Sequence, residues 1–186
     1  MGESEVFAMA TSTLVPLSEY LKTSYRPDRD WIDGEVRERN MGEGPHSAIQ
    51  KFLLLYLSTR EKEWGVAVWP EHRVQTSETH YRIPDLCATR GDAPFERIIR
   101  QAPVLCIEIM SHDDRMSDIL ERVEDYLGMG VLAVWVVDPR RRRAFLADST
   151  GVQQATERLW VPDSKMGVEL AEVFGYLDAL ETKGQV

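Results

Sequence analysis

Two carboxylates stand where burial makes them costly. Asp85 lies in RIPDLCA and Glu108 in VLCIEIM, each within an apolar run that reads as a strand, with both acids expected mid-strand. An ionised carboxylate in such surroundings needs a cation or several hydrogen-bond donors to compensate it. If the two strands pair antiparallel with Asp85 opposite Glu108, the same register sets Cys87 opposite Cys106. Side chains two apart share a face, so this register puts both acids and both thiols on one side of a sheet. Facing carboxylates repel, and a divalent cation between them is the natural compensation. Hard oxygen ligands suit Mg²⁺ or Mn²⁺, which keep several waters and take phosphate oxygens as further ligands.

The elements that must position these acids are legible from periodicity and turn residues. Residues 16–22 read as a short helix, and 31–39 as a ribbon turning at Asp33-Gly34, with Glu35 just past the turn. Gly44-Pro45 opens a long helix over about 46–63 that carries His46 near its start. Three strand candidates follow over 65–76, 81–89 and 102–111. A second long helix has Asp113, Asp114 and Asp118 expected in its first turn, an apolar stripe of Ile119, Leu120, Val123, Tyr126 and Leu127, and Gly128 and Gly130 at its end. The apolar VLAVWVVD should then run parallel to the Glu108 strand, as strand–helix–strand order requires. A basic hairpin over 139–149 and a last helix over 167–180 complete the chain.

With 186 residues, 43% of them apolar, the chain suits one domain over 14–180, flanked by a flexible N-terminal extension over 1–13 and a tail over 181–186. Its formal charge of −9 should repel phosphate backbones, so any nucleic-acid contact must be local. Two cysteines within apolar runs suit reduced core thiols rather than a disulfide scaffold. The N-terminal residues lack a secretory signal and no run is long enough for a bilayer, so the expected location is cytoplasmic, with no membrane partner.

The stretches DWIDGEV, PHSAIQKFLLLYL, RIPDLCA, PVLCIEIMS and ERVEDYLGMGVLAVWVVDP, in this order and spacing, resemble the Uma-two family of restriction-endonuclease-like proteins, a bacterial branch of the PD-(D/E)XK superfamily. The resemblance runs from about Leu14 to Leu180. It implies an α/β fold with a restriction-endonuclease-like core, a central mixed β-sheet flanked by helices in the order helix, three strands, helix, strand. It also implies Glu35, Asp85 and Glu108 as an acidic cluster, with Glu35 closing the site from the ribbon. The chain departs from the superfamily pattern at Met110, where a Lys is expected. The branch supplies that Lys from the following helix, and the matching position here is Arg122. Arginine neutralises charge on a phosphate but cannot act as a general base near neutral pH.

The sharper expectation is a Mg²⁺-dependent phosphodiesterase acting on DNA, with Mn²⁺ as an alternative ion and no organic cofactor. Asp85 and Glu108 would hold the metal with the carbonyl of Ile109 as a third ligand, Arg122 would stabilise transition-state charge, and His46 would be an accessory group. The rival is a catalytically silent fold used for binding or homo-oligomerisation. Simpler roles exist for the same residues: the acids satisfied by backbone amides or by Arg82, Arg115 or Arg122, His46 packed in the core, Glu35 in solvent, and Arg140–Arg143 as a solvated edge.

Overall fold

The computed structural model describes residues 14–40 and 42–183; the expected N-terminal extension and the last three residues lie outside them. In chain order the elements are α1 (Leu17–Tyr20), β1 (Arg29–Ile32), β2 (Glu35–Glu38), α2 (Gly44–Ser58), α3 (Glu61–Trp64), β3 (Val66–Pro70), β4 (Val74–Gln75), β5 (His80–Arg82), β6 (Leu86–Arg90), β7 (Leu105–Ile109), α4 (Met116–Met129), β8 (Ala133–Asp138), β9 (Arg143–Asp148), β10 (Gly151–Ala155), β11 (Arg158–Trp160), β12 (Gly167–Glu169) and α5 (Leu170–Lys183). Six strands form a mixed sheet in the order β10-β9-β8-β7-β6-β3, four form a smaller sheet in the order β2-β1-β5-β4, and β11 pairs with β12. β7 and β8 run parallel, joined through α4, as their order along the chain predicts.

Alternation along β7 divides the core. Leu105, Ile107 and Ile109 pack with Ile49, Leu53 and Leu57 of α2 and with Val173 and Leu177 of α5. Cys106 and Met110 face the other way, toward Ile119, Val123 and Tyr126 of α4. All six residues of β8 are buried, as befits a central strand covered on both faces. The smaller sheet has its own cluster in Tyr20, Trp31, Tyr81 and Ile98. Its β1–β2 turn falls at Asp33 and Gly34, both with positive φ, the backbone that a two-residue hairpin turn of the favoured hand demands.

The structure departs from the expected elements in several places. The helix expected over 46–63 breaks after Ser58 into α2 and α3. At the break Thr59 Oγ1 and Arg60 Nη1 both donate to the Tyr56 carbonyl, competing with the helical ladder. The first two strand candidates each divide between the two sheets. Pro84 has no N–H to give a ladder, and Glu71 turns at positive φ on the facing chain, its amide donating to the Asp85 carbonyl. Asp85 therefore sits in a bend just before β6 rather than mid-strand. Asp113 and Asp114 lie in the turn preceding α4, leaving Asp118 as the acid of its first turn. Residues 167–169 are a strand rather than helix, because they pair with β11, and α5 continues to Lys183 through the first half of the expected tail.

Candidate active site

The kink at Pro84 and the alternation of β7 bring two acids to one cavity. Cys87 pairs with Cys106 and Leu86 with Ile107, so Asp85, one residue beyond the ladder, meets the end of β7: its Oδ2 accepts the Ile109 amide at 2.6 Å. Glu108 shares the face of Cys106 and Met110, toward α4, where its Oε1 accepts the Tyr126 hydroxyl at 2.7 Å and its Oε2 accepts Arg122 Nη1 at 3.0 Å. Tyr126 and Arg122 lie four apart on α4, so one helix face delivers both. The cavity measures about 530 Å³ and is lined among others by Arg39, His46, Asp85, Glu108, Ile109 and Arg122.

The protein itself sets basic groups against both buried acids. Arg39 Nη2 lies 2.6 Å from Asp85 Oδ1 and 4.0 Å from Glu108 Oε2. His46 Nε2 is 3.3 Å from Asp85 Oδ2. Behind Arg122 stands Asp30, 3.7 Å from its Nε and 1% exposed. Asp30 in turn accepts the Ile83 amide and Arg82 Nη1, and Arg82 continues to Asp125 at 2.6 Å and Glu121 at 2.8 Å. This chain of ion pairs ties β1 and β5 to α4, and so fixes the helix that carries Arg122 and Tyr126.

The two acids are driven apart in acidity. Burial raises the Asp85 carboxyl, but the Arg39 charge, the His46 contacts and the Ile109 amide outweigh it and hold it well below the usual range. Glu108 is raised, first by burial and then by the Asp85 charge, with Arg122 opposing. His46 is raised because its hydrogen bond and charge contact with Asp85 overcome burial. Burial pushes Cys87 up to about 12 and holds Cys106 well above the ordinary thiol range, so both buried free thiols are kept in the protonated form.

Of the residues singled out in the sequence, Asp85, Glu108, Ile109, Arg122 and His46 meet in the cavity. Glu35 does not line it. Its carboxylate is half exposed on the ribbon, 3.7 Å from Arg37, whose other contact is Glu121. Arg39 and Asp30 were not anticipated. The signal for Arg39 was that two buried acids need more than one cation, and Arg82, the nearer candidate in sequence, is spent on Asp30. None of Arg140 to Arg143 of the basic hairpin lines the cavity; Arg142 pairs with Asp178 and Glu181 of α5, and Arg141 with Asp138.

Two hard carboxylates on one cavity suit an oxygen-loving divalent ion, and the structure itself sets a cation, the Arg39 guanidinium, in contact with both. Among the described residues no three His, Cys, Asp or Glu side chains gather as a metal group. Asp85 and Glu108 are the buried carboxylates of the cavity, and Asp28, Glu71 and Asp114 line it farther out. Among the described residues, no helix is long and apolar enough to cross a membrane.

Comparison with known proteins agrees with this architecture. The Uma2 family model, described as "Putative restriction endonuclease", matches residues 17–171. The crystal structure of a "putative nuclease belonging to DUF820" from Anabaena variabilis superposes with a TM-score of 0.77 at 21% identity, covering 88% of this chain and 99% of that one. A DrdV–DNA complex aligns over 70% of this chain and 10% of that one at 15% identity, with a TM-score of 0.39, too low to carry an argument. No curated protein matches the chain.

Proposed function

The chain belongs to the Uma2 family of restriction-endonuclease-like proteins, and we propose that it is a divalent-metal-dependent nuclease cleaving DNA phosphodiesters, with Mg²⁺ or Mn²⁺ as the ion. The observation that carries this reading is the convergence of buried Asp85 and Glu108 in one cavity beside Arg122. Asp85 and Glu108 would hold the ion, with the Ile109 carbonyl and waters completing its shell. When bound, the ion polarises the scissile phosphate and lowers the pKa of a coordinated water.

The chain's own residues supply the rest. Arg122, kept charged by Glu108 and Asp30, faces the developing negative charge on the phosphate oxygens. Tyr126 and the Ile109 amide fix the two carboxylates in orientation. Water oxygen bonds to phosphorus as one phosphorus–oxygen ester bond breaks, yielding a monoester and a free hydroxyl. His46, whose pKa the contacts with Asp85 raise against the effect of burial, can hold a proton at Nε2 beside the site.

A second reading, a silent fold that binds without cutting, is favoured by one observation. Every oxygen of Asp85 and Glu108 already accepts a hydrogen bond from the protein, and an arginine stands in the Lys position. An assay of cleavage with Mg²⁺ or Mn²⁺ on single-stranded, double-stranded and structured DNA decides between them. The nuclease reading expects ion-dependent cutting that Asp85→Asn and Glu108→Gln abolish. Absence of cutting on every substrate with either ion overturns it.

A further inference from the structure

We propose that Arg39 is a tethered cation that occupies the ground of the divalent ion between Asp85 and Glu108, so that metal entry requires the Arg39 side chain to withdraw. The proposal rests on the metal-dependent reading above. Among the described residues, Arg39 is the basic side chain with ion-pair contacts to both acids: 2.6 Å to Asp85 Oδ1 and 4.0 Å to Glu108 Oε2. Arg122, by contrast, contacts Glu108 and Asp30 and stays to one side. A guanidinium and a divalent ion cannot share a gap between the same two carboxylate oxygens, because like charges at that separation repel strongly in a buried site. Binding of the one therefore excludes the other.

Three further features make Arg39 a removable occupant rather than a fixed strut. It lies just past the end of β2, outside the paired residues of the ribbon, so ladder hydrogen bonds do not fix its backbone. Its Nε is buried with no hydrogen-bond partner, so the seat between the acids satisfies the guanidinium incompletely. Asp28, Glu71 and Asp114 line the same cavity and offer acceptors to a displaced guanidinium. The site would thus stay neutralised while metal-free, and the apparent metal affinity would be lowered by the fraction of molecules in which Arg39 is seated.

Titration calorimetry with Mn²⁺, on the full chain and without DNA, tests this. Arg39→Gln removes the charge while keeping bulk and a donor for Asp85, and Arg39→Lys keeps a charge with a shorter reach and serves as a folded control should the glutamine variant prove unstable. The expected result is Mn²⁺ binding at least tenfold tighter in Arg39→Gln than in the unmodified protein, with Arg39→Lys between them. Should only the lysine variant fold, binding by it tighter than by the unmodified protein supports the proposal. Equal or weaker binding in the variants overturns it while leaving the nuclease reading intact, since Arg39 would then be a ligand-side or substrate-side group. No Mn²⁺ binding by any form overturns both it and the metal-dependent reading, and cleavage persisting in that case would point to chemistry without this site.

Discussion

Cys87 lies opposite Cys106 in the antiparallel ladder of β6 and β7, and this pairing sets the register that carries Asp85 to the Ile109 amide beside Glu108. A slip of one residue would turn the Glu108 carboxylate toward α2 and bury it without Tyr126 or Arg122. The thiols are 1% and 0% exposed. We expect native protein to leave both unreactive toward a thiol reagent and denatured protein to titrate both. Rapid reaction of either in the native state would contradict the packing.

Metal binding should register as stability. A ligand that binds only the folded state adds about 1.4 kcal/mol for each tenfold excess over its dissociation constant. Millimolar Mg²⁺ or Mn²⁺ is expected to raise the Tm of the unmodified protein and to leave Asp85→Ala unmoved. Equal shifts in the two proteins would place the effect elsewhere.

Arg122 should matter more to cleavage than to metal binding. Arg122→Ala is expected to abolish cutting while keeping the metal-induced Tm rise, and also to lower stability by about 3 kcal/mol because it strips a buried partner from Glu108 and Asp30. Arg122→Lys should retain activity. Full activity in the alanine variant would remove Arg122 from the mechanism.

Tyr126→Phe deletes the hydroxyl that donates to Glu108 Oε1 and changes little else in shape. Leaving that buried oxygen unsatisfied should cost about 1–3 kcal/mol in chemical denaturation. It should also raise the Glu108 pKa further. A variant as stable as the parent would mean that water or Arg39 replaces the hydroxyl.

His46 supplies a pH signature. Its folded pKa is raised above the ordinary 6.5, so the stability it contributes is fully present below that value and is lost as pH rises through the folded pKa. Tm measured across this window should fall with rising pH in the unmodified protein, and His46→Gln should flatten that slope. Gly42→Ala should do the same, because a Cβ there would stand 2.5 Å from His46 Nδ1 and displace the ring. An unchanged slope in His46→Gln would assign the titration to another group.

How much of this was legible beforehand follows from the range of the forces. Turn chemistry at Asp33-Gly34, the helical stripe of α4, the apolar run of β8 and the pairing of Cys87 with Cys106 are local or nearest-neighbour properties, and the sequence alone determined them. The order of elements likewise determined that β7 and β8 run parallel. Tertiary structure decided the rest. Whether a strand candidate stays in one sheet depends on what its far half pairs with, so the division at Pro84, which puts Asp85 in a bend, followed from β4 and β5 joining the ribbon. Which arginine neutralises which acid is a matter of three-dimensional proximity across 46 residues for Arg39 and Asp85, and 52 for Arg82 and Asp30. Charge pairing leaves no periodic trace in a sequence, because a guanidinium on a long side chain can reach any acid that the fold brings near.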